Sequence, residues 1–106
     1  MKGLDGVLKE ELERLLELEK SYVREIKALP KGSIQQKKIK RSAYPYLVCR
    51  DGADVIYNYV GKLSKSDLEK LESEIAQRRK FEGLLREVRR NIIYLKRIVY
   101  GRKRTV

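Results

Sequence analysis

The 106-residue chain has no histidine, no tryptophan, one cysteine, one phenylalanine and two prolines. Without histidine it lacks the commonest metal ligand and the commonest general base. Cys49 stands alone, so no intramolecular disulfide can form, and a small apolar residue in a strand is a simpler reading of it than a reactive thiol. No run approaches the roughly 18 apolar residues of a membrane-spanning helix, and the N-terminus has no signal-peptide apolar core. A cytoplasmic protein is expected. No His–Cys pair, metal-ligand spacing, Walker loop or glycine fingerprint is present. Asp51 and Asp54 flank a turn, where Asp is favoured for local hydrogen bonding. The expectation is no enzyme, no metal and no cofactor.

Charge is what the chain has in excess. Lysine and arginine number 26 against 15 acidic residues, a net +11, and 39% of residues are charged. Ordinary domains carry roughly 25%. Such a surface must be largely solvated, which suits extended helices, and its sign favours polyanionic partners such as nucleic acid or an acidic membrane face.

That charge is unevenly spread. Residues 1–29 hold six basic and seven acidic residues; residues 30–63 hold seven and two. Residues 64–77 hold two and four, and from Arg78 onward eleven basic residues face only Glu82 and Glu87. Two basic regions result: the centre of the chain and its C-terminal third.

Residues 4–29 read as a helix. Leu8, Leu12, Leu15, Tyr22, Ile26 and Leu29 follow steps of four and three, with Glu19 at the missing seam position. Pro30 and Gly32 end it. A second helix is predicted over 65–100, about 54 Å long, with Ser64 as N-cap and Asp67 at the reciprocal position. Its apolar positions fall in two phases, Leu68, Leu71 and Ile75, then Phe81, Leu85, Val88, Ile92, Leu95 and Val99. The polar run Gln77–Lys80 between them implies a stutter or a change of partner near Arg78. Gly83 interrupts this helix and implies a close helix approach or a bend. Residues 101–106 form a basic tail.

Residues 33–61 lie between the helices and read as an antiparallel sheet of two to three strands. Asp51-Gly52 is a short hairpin signal. As a two-residue loop it pairs Tyr46 with Tyr57 and Tyr44 with Tyr59. One face then carries Tyr44, Tyr46, Val48, Val55, Tyr57 and Tyr59, and the other Leu47, Cys49, Ile56 and Val60. Residues 33–40 add a third strand, followed by a turn at Arg41–Ala43. Pro45 lacks an N–H and is expected at an edge or a bulge.

A basic ribbon of this kind fits a DNA groove. Tyrosines among basic residues suit stacking on unpaired bases, yet they equally suit a core packed on helix leucines with hydroxyls at the rim. The second is expected, which leaves Lys37, Lys38, Lys40, Arg41, Arg50 and Lys62 as the contact residues of the sheet. At the C-terminus Arg86, Arg89, Arg90, Lys96, Arg97, Arg102, Lys103 and Arg104 accompany the apolar seam. The helix end is expected to supply general phosphate attraction, and the sheet to set preference between kinds of nucleic acid. A basic amphipathic helix on a membrane is the lesser reading.

Lys31-Gly32-Ser33-Ile34, Lys37-Lys38-Ile39, Pro45-Tyr46-Leu47, Arg50, Gly52 and Tyr59-Val60-Gly61-Lys62, between two charged helices, resemble a family of small prokaryotic proteins of unknown function. The hairpin is also similar to N-terminal segments of some insertion-sequence transposases, which implies a DNA-associated role. The whole reads as one α+β domain. Two long helices form an antiparallel coiled-coil-like arm, and a small antiparallel sheet lies between them in sequence. Because the second helix is longer, its seam at Ile92, Leu95 and Val99 is expected to be unpaired and to drive homodimerisation. Sequence-tolerant DNA binding is the leading expectation; a structural or adaptor coiled coil is the other.

Overall fold

The computed structural model describes residues 3–101. Along the chain come α1 (Leu4–Ala28), β1 (Ser33–Ile39), β2 (Ser42–Asp51), β3 (Asp54–Tyr59) and α2 (Lys65–Tyr100). The three strands form one antiparallel sheet in the order β1-β2-β3. This is the expected α+β arrangement. The chain makes two compact units, one of α1 up to Lys27 with the chain from Lys80, the other Ala28–Arg79.

In the helical unit, Leu12 and Leu15 of α1 are buried with Val88, Ile92 and Leu95 of α2, and Leu8, Leu16, Leu18 and Tyr22 pack around them. Both sets repeat at three and four residues, the spacing that keeps one stripe of a helix facing its partner. The pair is antiparallel. The Tyr22 and Phe81 rings are centred 5.8 Å apart, while Arg89 Nε donates to Glu19 Oε2 at 3.0 Å, so an earlier residue of α1 meets a later one of α2. Glu19 can therefore stand in the seam because a cation from the other helix answers it.

One expectation fails here. Ile92 and Leu95 are only 6% and 9% exposed, and what covers them is α1 of the same chain. The surplus length of α2 lies at its other end, where residues 65–79 belong to the sheet's unit. Ile92 and Leu95 are thus no free surface for a second copy, while Val99 is half-buried. Of the two alternatives for Gly83, a close helix approach falls away. A Cβ built on it would meet only Arg86 Nη2, at 3.8 Å, so no close helix approach requires the glycine.

Within the second unit α2 begins at its predicted cap, the Asp67 N–H donating to Ser64 Oγ at 3.1 Å. Ile75 is buried. Arg78 Nη1 donates to the Leu29 carbonyl at 2.8 Å and Arg79 Nη2 to that of Gly32 at 3.4 Å. The polar run is therefore where α2 changes partner: its arginines satisfy carbonyls that the end of α1 leaves open. Gly32 itself has φ 119°, and a Cβ there would lie 2.5 Å from the Val48 carbonyl oxygen. Only glycine fits.

The sheet's second hairpin closes on Asp51 and Asp54, not on Arg50 and Ala53. Positive φ falls on Gly52 (63°) and not on Asp51 or Ala53. A turn centred on Asp51-Gly52 would demand it of Asp51 as well; moving the centre to Gly52-Ala53 asks it of glycine alone. Pairing shifts by two residues, so Tyr46 faces Tyr59 and Val48 faces Tyr57. An even shift preserves the sorting of side chains between faces. The first hairpin turns at Lys40-Arg41, one residue earlier than expected, with Lys40 at φ 58°.

Pro45 is in the central strand, contrary to expectation, and the ladder explains why it is tolerated. Its carbonyl accepts from the Val60 N–H at 3.1 Å, so by strand alternation its missing N–H would have pointed at the Val60 carbonyl. That carbonyl accepts from Leu63 N–H instead, at 3.1 Å. Opposite Gln36 of β1, Pro45 is at a position where no ladder bond is due. The proline thus ends the β2–β3 ladder and releases the chain into the turn that leads to α2.

Candidate nucleic-acid interface

Strand registers place Gln35, Lys37 and Ile39 of β1 on the face that carries Tyr44, Tyr46 and Val48 of β2 and Val55, Tyr57 and Tyr59 of β3. The other face carries Ile34, Leu47, Cys49 and Ile56. This aliphatic face is the more covered one: Ile34, Leu47 and Cys49 are half-buried, and Ser33, Ile34 and Gln36 share a groove with Glu72, Ile75, Ala76 and Arg79 of α2.

The tyrosine face is not core. Tyr44, Tyr57 and Tyr59 are 37%, 53% and 46% exposed, and Val55 and Ile39 each 45%. Tyr46 is half-buried, and Val48 alone on this face is buried. The expectation that helix leucines cover these rings is overturned. Physically, the sheet has one aliphatic face and one amphipathic face, and the aliphatic one gains more from leaving water.

These rings form a connected row. Tyr46 is centred 5.5 Å from Tyr59 and 6.3 Å from Tyr57, and Tyr44 is 6.3 Å from Tyr59. Their tilted and edge-on geometries are those favoured by aromatic quadrupoles. Lys37 Nζ stands 5.4 Å from the Tyr57 ring centroid and 5.9 Å from that of Tyr46, within cation–π range. Ile39, Tyr44, Tyr46 and Tyr59 line an open groove of about 380 Å³. Within the row the Tyr59 ring, between those of Tyr44 and Tyr46, also lies against Gly61, so closely that a Cβ there would collide with it. Gly61 leaves room for that ring.

All expected contact cations that are described are exposed, and those of the sheet are not one patch. Lys37 is on the tyrosine face, and Arg50, opposite Val55, is on the same face by register. Lys40 and Arg41 form the tip of the first hairpin. Lys38 projects from the opposite face, and Lys62 is in the turn after β3. The Arg50 carbonyl accepts from Lys31 Nζ at 3.3 Å. On α2, Arg86, Arg90 and Arg97 recur at helical spacing and share one side, whereas Arg89 is engaged by Glu19. Lys96 and Arg97 line an open, mostly apolar groove of about 600 Å³ with Ile93, Tyr100 and Gly101. Arg102, Lys103 and Arg104 lie outside the described residues. Among the described residues no helix is long and apolar enough to cross a membrane.

The residues that sequence reasoning set aside are therefore the tyrosines. A signal for them exists. The β1 residues that share their face are Gln35 and Lys37, polar neighbours that a buried face would not tolerate. The chain matches no family model, no curated protein and no solved structure.

Proposed function

We propose that this protein binds single-stranded nucleic acid, DNA in the first instance, without strong sequence preference, through the tyrosine face of its sheet. The observation that carries this reading is the row Tyr44, Tyr59, Tyr46 and Tyr57, exposed except for half-buried Tyr46, with Lys37 seated over two of its rings. Every base has a π-face, so stacking on such rings tolerates sequence, at about 1–3 kcal/mol per base. Lys37, Arg50 and the hairpin tip Lys40-Arg41 would then take phosphates around the stacked bases. Arg86, Arg90 and Arg97 of α2 add a general attraction for the polyanion.

A salt titration of binding to a single-stranded oligonucleotide and to its duplex tests this. Single strand should bind more tightly at every salt concentration. Four phosphate contacts give a slope of log K against log salt near −3, at about −0.7 per contact. Equal or tighter duplex binding would refute the stacking reading, and no salt-dependent binding would refute nucleic acid altogether. The second reading, an adaptor that binds another protein, draws on α2. Ile93, Tyr94, Ile98 and Tyr100 are exposed there on the side away from the seam. Binding that survives loss of the tyrosines but not of these residues would favour it.

A further inference from the structure

The sheet has two edges, and the chain treats them differently. By ladder alternation, Ile34, Gln36 and Lys38 of β1 and Val55, Tyr57 and Tyr59 of β3 point their N–H and C=O groups outward. The β1 edge carries Lys38, and its first half shares a groove with α2. A charge on the edge and a neighbouring element are both ordinary means of blocking strand addition. Among the described residues the β3 edge has no covering element, and its one charge, Asp54, lies outside the outward row. All six of its residues are exposed, Val55, Ile56, Tyr57 and Tyr59 among them at 39–53%, and it contains no proline, lysine or arginine. Among the described residues no backbone group pairs with its outward row.

We infer that β3 pairs antiparallel with β3 of a second copy, joining two three-stranded sheets into one of six. Three features point to a second copy rather than to another strand. First, the two chains carry +11 each, so self-association needs a surface free of cations, and residues 51–61 hold none while holding Asp51 and Asp54. Second, the outward row is self-complementary about Tyr57. With Tyr57 opposite its own counterpart, Val55 of one copy lies beside Tyr59 of the other, a β-branched–aromatic pair of the stabilising kind. Third, this register sets Asp54 opposite Val60 and leaves the two Asp54 carboxylates at opposite ends of the seam, roughly 20 Å apart at about 3.4 Å per residue. The contact is isologous and closes as a dimer. Since Val55, Tyr57 and Tyr59 all lie on the tyrosine face, pairing would make the two tyrosine rows one continuous platform. The pairing is measured without nucleic acid, so its failure is separate from failure of the binding reading.

Sedimentation velocity of the full chain, from low to high micromolar concentration, reads the outcome. Wild type should pass from monomer to dimer as concentration rises, and added salt should strengthen the dimer by screening two like-charged chains, the reverse of its effect on nucleic-acid binding. Tyr57→Pro removes an outward N–H without touching the ladder to β2, and should leave a monomer. Val55→Lys places a charge on the same row without altering the backbone and should do the same, which covers the case in which the proline variant does not fold. Ile93→Glu on α2 should still dimerise. A wild type that stays monomeric at high micromolar concentration overturns the inference. So does a dimer that survives Val55→Lys, or one that Ile93→Glu abolishes.

Discussion

The helical pair and the sheet spend their apolar residues in opposite ways. Between α1 and α2, five residues are buried in one cluster and partly buried side chains surround it. In the sheet's unit only Val48, Val60 and Ile75 are buried, and three of the largest side chains, Tyr44, Tyr57 and Tyr59, remain in solvent. An apolar seam that its own chain covers is there for stability. A row of exposed rings with a lysine over it contributes little to folding, because a side chain that stays wet gains little of the burial energy. On the proposed reading, the helical seam holds its unit together and the sheet makes contact.

Substitutions in the two regions should accordingly separate stability from binding. The largest effect is expected in the seam: Leu12→Ala, at a 3% exposed position, should cost about 2–5 kcal/mol of unfolding free energy. Urea denaturation measures it, and at temperatures where the variant is folded its nucleic-acid affinity should be unchanged. Within the sheet, Lys37→Gln should weaken single-strand binding by about 1.5 kcal/mol, roughly tenfold, whereas Lys38→Gln, on the opposite face, should change it little. Equal losses from both would dissolve the distinction between the faces. Gly83→Ala should stabilise by up to about 1 kcal/mol, since the added methyl meets only the flexible end of Arg86; a lower melting temperature would show that the glycine serves packing after all.

The smallest effect concerns pH. The hydrogen bond from Arg14 holds the Glu11 carboxyl below its ordinary value. A lowered folded-state value gives stability that is present above the unfolded value and lost as pH falls through the folded one. Wild type should therefore exceed Glu11→Gln slightly at neutral pH, and the two should converge in acid, as thermal melts at several pH values can show.

The sequence carried the helices almost whole. Residues 4–29 and 65–100 differ from Leu4–Ala28 and Lys65–Tyr100 by one residue, because a long apolar stripe, a serine cap and a closing Pro-Gly are local signals. The phase change at Arg78 was also readable, though not that Arg78 and Arg79 reach back to the carbonyls of Leu29 and Gly32. What failed was non-local. Which end of α2 overhangs depends on where the sheet returns the chain, and no periodicity encodes that. Which sheet face is covered depends on a competition between an aliphatic and a tyrosine face. That competition becomes readable only once the first strand's register puts Gln35 and Lys37 beside the tyrosines. The turn at Gly52-Ala53 shows the same limit on a smaller scale: the dipeptide marked the hairpin, and the cost of a left-handed Asp51 decided its centre.

The central claim is that the tyrosine face binds and the helical seam folds. Replacing Tyr44, Tyr57 and Tyr59 together by alanine, and measuring both unfolding free energy and affinity for a single-stranded oligonucleotide, tests it most directly. The account predicts near-complete loss of single-strand binding, since each stacked base is worth about 1–3 kcal/mol, with a seam that still unfolds cooperatively and a stability loss smaller than that of Leu12→Ala alone. Unchanged affinity in a folded triple variant would contradict it.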